Sequence, residues 1–182
     1  KSSQEITDET EIVVLEAIEY VSRAGHKLAR ALDEFAEIEV AGKNALDIGA
    51  STGGFTDVLL RRGVDLVVAV DVGHDQMVQE LYDHIRVYPL EGVNARELSI
   101  DSLADATRLP IDERFFGLVV ADVSFISLTL VLPAMKRVAP NAEFVLLIKP
   151  QFEVGRGGIR EGIVRDAGLR EDAINGVLWA AW

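Results

Sequence analysis

Five short runs of consecutive apolar residues, separated by stretches of helical spacing, constrain the fold of this chain more than any other feature. Residues 45–48, 66–71, 86–90, 118–122 and 143–149 lack the alternation of a strand with one wet face, so they predict parallel strands covered on both sides. Residues 54–62, about 75–83, about 100–106 and 128–138 lie between them and can supply the crossover helices. The pattern predicts an α/β fold with a doubly wound parallel sheet. Ahead of the sheet, residues 22–37 read as an amphipathic helix. Leu28, Leu32 and Phe35 share one sector, while Arg23, Lys27 and Arg30 form a basic stripe on another. Residues 1–20 are acidic and are expected to be a linker or N-terminal extension, with a strand as the alternative.

Composition removes several chemistries. The 182 residues include no cysteine, and His26, His74 and His84 are far apart, so a disulfide scaffold, a cysteine nucleophile and a zinc centre are excluded and no metal site is expected. The apolar runs are too short for a membrane span, and residues 1–22 lack the basic start and apolar core of a secretion signal. These features predict a soluble, cytoplasmic protein. Eighteen basic against thirty acidic side chains leave a net charge of −12, so any contact with nucleic acid must be a local basic patch.

The segment Ala45-Leu-Asp-Ile-Gly-Ala-Ser-Thr-Gly-Gly-Phe55 runs from strand through a glycine turn into helix, at the position where doubly wound sheets bind ligands. It is not the G-x-G-x-x-G of a dinucleotide site, and Asp47 would repel a pyrophosphate. A cationic nucleoside such as S-adenosylmethionine (SAM) suits it better. The residues expected to bind it are Asp47, Gly49, Ser51, Gly53, Gly54 and Phe55, together with Asp71 for the ribose hydroxyls and Asn94 at the adenine edge.

The fourth and fifth apolar runs end in Asp122 and Lys149, facing the same crevice. A lysine after an apolar run is costly unless paired, and one so placed is a candidate base for removing the proton of a ribose hydroxyl. Asp122 would orient that lysine and the sulfonium. Lys27, on the basic stripe, would place a second positive charge beside the substrate oxygen.

The segments 22–28 (SRAGHKL), 46–57 (LDIGASTGGFTD), 70–74 (VDVGH), 121–128 (ADVSFISL) and 149–155 (KPQFEVG) resemble the hemolysin A, or TlyA-type, branch of the FtsJ-like ribosomal RNA methyltransferases. The resemblance spans about residues 20–175. It implies a Rossmann-like class I SAM-dependent 2′-O-ribose methyltransferase acting on ribosomal RNA, with strand order 3-2-1-4-5. It also implies a Lys-Asp-Lys-Glu catalytic set, whose first three members are Lys27, Asp122 and Lys149 by position. In the family that glutamate lies on a late strand, which is expected to fall beyond residue 182, so the methyltransferase domain, residues 21–182, is expected to be C-terminally truncated and, by itself, to bind SAM weakly or not at all and to show almost no transfer to RNA. An N-terminal S4-like RNA-binding domain is also implied. After Gln151 the chain predicts a flexible glycine-rich loop over 153–162 and a helix from about residue 167; Glu153 and Glu161 fall in the loop and are given no role.

Four other readings compete. Methylation of a base amine is disfavoured because Asp122-Val-Ser-Phe125 contains no proline. An NAD-dependent oxidoreductase is disfavoured by Asp47 and the loop pattern. A membrane-lysing hemolysin needs an amphipathic or spanning segment of membrane type, and a non-catalytic RNA-binding or ribosome-assembly module is the remaining alternative.

Overall fold

In the computed structural model, residues 19–155 and 158–182 are described. Five parallel strands, β1 (Asn44–Ile48), β2 (Leu66–Val70), β3 (Val87–Leu90), β4 (Leu118–Ala121) and β5 (Glu143–Leu146), pair in the order β3-β2-β1-β4-β5. This is the expected α/β sheet, and its order reverses between β1 and β4, which opens a crevice at their carboxyl ends. Seven helices accompany it among the described residues: α1 (Arg23–Glu34), α2 (Gly54–Arg61), α3 (Gln79–Tyr82), α4 (Ile100–Thr107), α5 (Leu128–Val138), α6 (Pro150–Glu153) and α7 (Ala167–Ala181).

The two-residue period of the strands divides the core. Leu46, Ile48, Val68, Val70, Val119 and Ala121 face one layer, built with α4, α5 and α7. Ala45, Val67, Ala69, Leu118 and Val120 face the other, built with α1 and α2. Coverage on both faces holds for β1, β2 and β4, but β3 and β5 are edge strands and remain half-exposed, because each has a neighbour on one side only.

Three local expectations change. The helix foreseen over 75–83 shrinks to one turn, α3, because Asp75 takes a left-handed φ of +54° and the preceding residues fold around the Asp71 carboxylate. β5 stops at Leu146, so Lys149 lies beyond the strand and caps α6, a turn not foreseen in the sequence. The helix read over 22–37 ends at Glu34. The acidic segment expected as a linker falls outside the described residues as far as residue 18.

Residues 19–22 are fastened to α2. Asp57 accepts the Val21 N–H at 3.0 Å and the Arg61 guanidinium at 2.7 Å. Arg61 also donates to Glu19 O and lies 5.0 Å from the Tyr20 ring centroid. This staple sets the direction of α1, and α1 carries Lys27 to the mouth of the crevice.

Candidate active site

Two adjoining cavities fill the crevice. The larger, about 630 Å³, runs from Gly49 and Ser51 past Asp71 to Asn94 and Arg96, with Ile126 and Val131 supplying apolar wall. The smaller, about 250 Å³, is polar and is lined by Ser22, Lys27, the glycine loop, Asp122, Ser124 and Lys149. They share Gly49, Ser51, Asp122 and Ser124.

Asp122 is the hinge of the arrangement. Its Oδ1 lies 2.5 Å from Lys149 Nζ and its Oδ2 lies 3.2 Å from Lys27 Nζ, so one carboxylate holds two lysines. Its side chain is only 11% exposed, and a carboxylate so shielded is tolerated there because an ammonium lies against each oxygen, although Oδ1 receives no aligned hydrogen bond. Lys149 also donates to Ser124 Oγ at 2.7 Å. The three residues read as catalytic come from α1, the β4 exit and the β5 exit, and they meet. The basic stripe of Arg23, Lys27 and Arg30 is exposed on α1, as expected.

Asp71 lines the larger cavity, its carboxylate oriented by the N–H groups of Ser51, at 2.8 Å, and Gly73, at 2.7 Å. Each oxygen retains a lone pair for a further donor. Asn94 lies on the same wall, but its side chain caps a 3₁₀ turn over Ala95–Glu97, accepting from Arg96 N–H and donating to Glu97.

Asp47 does not reach either cavity. It follows Ala45 onto the α1–α2 face of the sheet, is 0% exposed, and accepts the Thr56 hydroxyl at 2.7 Å through Oδ2, while Oδ1 has no partner. Burial pushes its carboxyl up to about 7, opposed by the Thr56 bond and reinforced by the negative charges of Asp122 and Asp71. Its expected contact with a ligand is therefore replaced by support of α2 beneath the loop, and its charge is not a fixed barrier to anions. Gly53 likewise serves packing. It has φ +95°, and a Cβ there would lie 2.4 Å from Leu81 Cδ1. Gly54 and Phe55 touch the small cavity, but Phe55 is core, and a Cβ on Gly54 would strike Ser22 Oγ.

Three residues at the site escaped the sequence reading. Ser22 Oγ is buried without a partner at the small cavity. Ser124 holds Lys149. Phe125 takes φ +65° and is 92% exposed, its ring 5.3 Å from that of Phe152. All three lie inside the segments quoted above for the family resemblance, but only spatial placement reveals what each faces.

Comparison with known proteins agrees with this architecture. The family model for FtsJ-like methyltransferases matches residues 20–182. Hemolysin A of Brachyspira hyodysenteriae is 45% identical over 178 residues, covering 97% of this chain and 70% of that protein. The 16S/23S rRNA (cytidine-2′-O)-methyltransferase TlyA of Mycobacterium tuberculosis is 46% identical over 178 residues, covering 96% of this chain but only 63% of its own length. A solved structure from Lactococcus lactis, of a protein provisionally described as a hemolysin, superposes with a TM-score of 0.81 at 42% identity, covering 91% of this chain and 76% of that one. No helix among the described residues is long and apolar enough to cross a membrane. With its sheet order and its match over residues 20–182, the chain belongs to the FtsJ-like methyltransferase family.

Proposed function

We propose that the protein is a SAM-dependent 2′-O-ribose methyltransferase acting on ribosomal RNA in the cytoplasm. The observation that carries this reading is the pair of lysines held on one buried carboxylate at the edge of a nucleoside-sized cavity. The residues fit the cofactor. Asp71 suits ribose hydroxyls, the wall beyond it with Asn94 suits a purine, and the unpartnered Ser22 hydroxyl with the loop N–H groups suits the anionic end of an amino acid. SAM supplies an electrophilic methyl group on a sulfonium.

The chain's own residues then do the rest. Lys149 takes up the proton of the ribose hydroxyl, and the Asp122 carboxylate and Ser124 Oγ, which lie against its Nζ, hold the resulting ammonium. Lys27 places positive charge beside the same oxygen, and Asp122 keeps both lysines aimed at it. The exposed Phe125 ring offers a stacking face to an unstacked base, as single-stranded RNA recognition requires.

The test is transfer of labelled methyl from SAM to ribosomal RNA by the full-length protein, with the modified nucleotide mapped by its resistance to alkaline hydrolysis. Label at a 2′ oxygen supports the reading. Label on a base, or no binding of S-adenosylhomocysteine, overturns it.

A further inference from the structure

Lys149 is carried at the N-cap of α6, a single turn that buries none of its own residues. Sheet pairing ends just before it: Leu146 pairs with Ala121, Leu147 N–H bonds to Ala121 O, and Lys149 is two residues further on. The position of the lysine therefore depends on what fastens α6. Pro150 begins the turn with a fixed φ, and Phe152 N–H closes it on Lys149 O at 2.9 Å. At its other end Glu153 reaches across to α5. One carboxylate oxygen accepts the Leu128 N–H at 2.9 Å and the other accepts the Ser127 hydroxyl at 2.5 Å. Ser127 and Leu128 open α5, the helix that follows the segment leaving Asp122. The β4 and β5 exits, which carry the two halves of the Asp122–Lys149 pair, are thus tied together behind the site.

We propose that Glu153 is a positioning residue that holds Lys149 against Asp122 and Ser124 by fastening α6 to the N-terminus of α5. The inference rests on the methyltransferase reading above. Glu153 does not touch the polar cavity that holds the lysine; it lines a separate one of about 300 Å³ between α5, α6 and α7. Its effect reaches the reaction only through Lys149. Its charge also complements the positive end of α5. Displacement of a reacting group by about 1 Å is enough to lower a rate by about 10²-fold, and α6 has no buried side chain to resist such a shift.

The experiment compares Glu153→Ala, Glu153→Asp and Glu153→Gln with wild type, all in the full-length protein, by single-turnover methyl transfer to ribosomal RNA and by binding of S-adenosylhomocysteine. Val64→Ala, a core truncation remote from the crevice, serves as the stability control. Glu153→Ala and Glu153→Asp are expected to lose about 10- to 100-fold in rate, with cofactor affinity and KM for RNA within threefold of wild type. Glu153→Gln keeps an acceptor for the Leu128 N–H and, in place of the acceptor for the Ser127 hydroxyl, presents an amide N–H that donates to Ser127 Oγ, so it is expected to retain most of the rate. Val64→Ala should melt earlier and react normally below its melting temperature. Asp and Gln keep a polar group at the site, so they report even if the alanine variant does not fold. An unchanged rate in Glu153→Asp, a glutamine variant as impaired as alanine, or a loss matched by Val64→Ala overturns the inference. Failure of wild type itself to bind S-adenosylhomocysteine or transfer methyl overturns the underlying reading instead.

Discussion

Asp47→Asn is expected to change stability with opposite sign at low and high pH. The wild-type carboxyl is fully buried, has one bond from Thr56, and is raised from 3.8 to about 7 in the folded chain. A raised acid binds its proton more tightly when folded than when unfolded, so wild type loses stability as pH rises from about 4 and the loss is complete above the folded value. The shift of about 3 pH units corresponds to about 4 kcal/mol at about 1.4 kcal/mol per unit. Asparagine has the same shape, still accepts from Thr56 and carries no charge, but puts an unpaired N–H where Oδ1 lies, at a constant cost of about 1–3 kcal/mol. Urea unfolding of both proteins at pH 4.5 and pH 8 separates the two effects. The asparagine variant should gain about 3 kcal/mol relative to wild type between these pH values, being the less stable protein in acid and the more stable one in base. A difference that stays within about 0.5 kcal/mol across the range would refute the reasoning, because it would mean that Asp47 pays no ionic desolvation in the fold.

Asp71→Ala should weaken binding of S-adenosylhomocysteine by about 1.5–3 kcal/mol in calorimetric titration, since it removes both a charged acceptor and the group that orders the Ser51 and Gly73 N–H bonds. Lys149→Ala should lower methyl transfer by about 10²–10⁴ with cofactor affinity unchanged. Lys149→Arg should not restore it, because a guanidinium does not serve as a base near neutral pH. Gly53→Ala should cost about 1–3 kcal/mol in thermal unfolding, because an L side chain is strained at φ +95° and would collide with Leu81.

The sheet was legible in the sequence because fully buried parallel strands leave an unmistakable record. The runs at β2 and β4 are apolar at every position, and in β1 the last four residues are buried with Asp47 as their one polar member, since both faces are covered. Two of the candidate catalytic residues were legible for a related reason. Asp122 and Lys149 are charges at the ends of apolar runs and stand out locally, whereas Lys27 is one of three cations on the basic stripe of an amphipathic helix and nothing local sets it apart from Arg23 and Arg30. Which way a residue faces was not legible. Asp47 and Asp71 sit near the ends of neighbouring strands, yet Asp71 lies just past its strand and enters the cavity, while Asp47 is within β1, where the alternation turns it beneath α2. Nor was the packing role of the glycine loop legible, since Gly53 and Gly54 answer to Leu81 and Ser22, neighbours distant in sequence. The roles of Glu153, Ser22 and Ser124 depend on contacts between segments that no local pattern encodes, and only the crossing of α1, the meeting of the β4 and β5 exits and the turn of α6 bring them to the site. Local sequence periodicity records which faces avoid water; the pairing of charges across strands is a product of tertiary packing, and it decides what those charges can do.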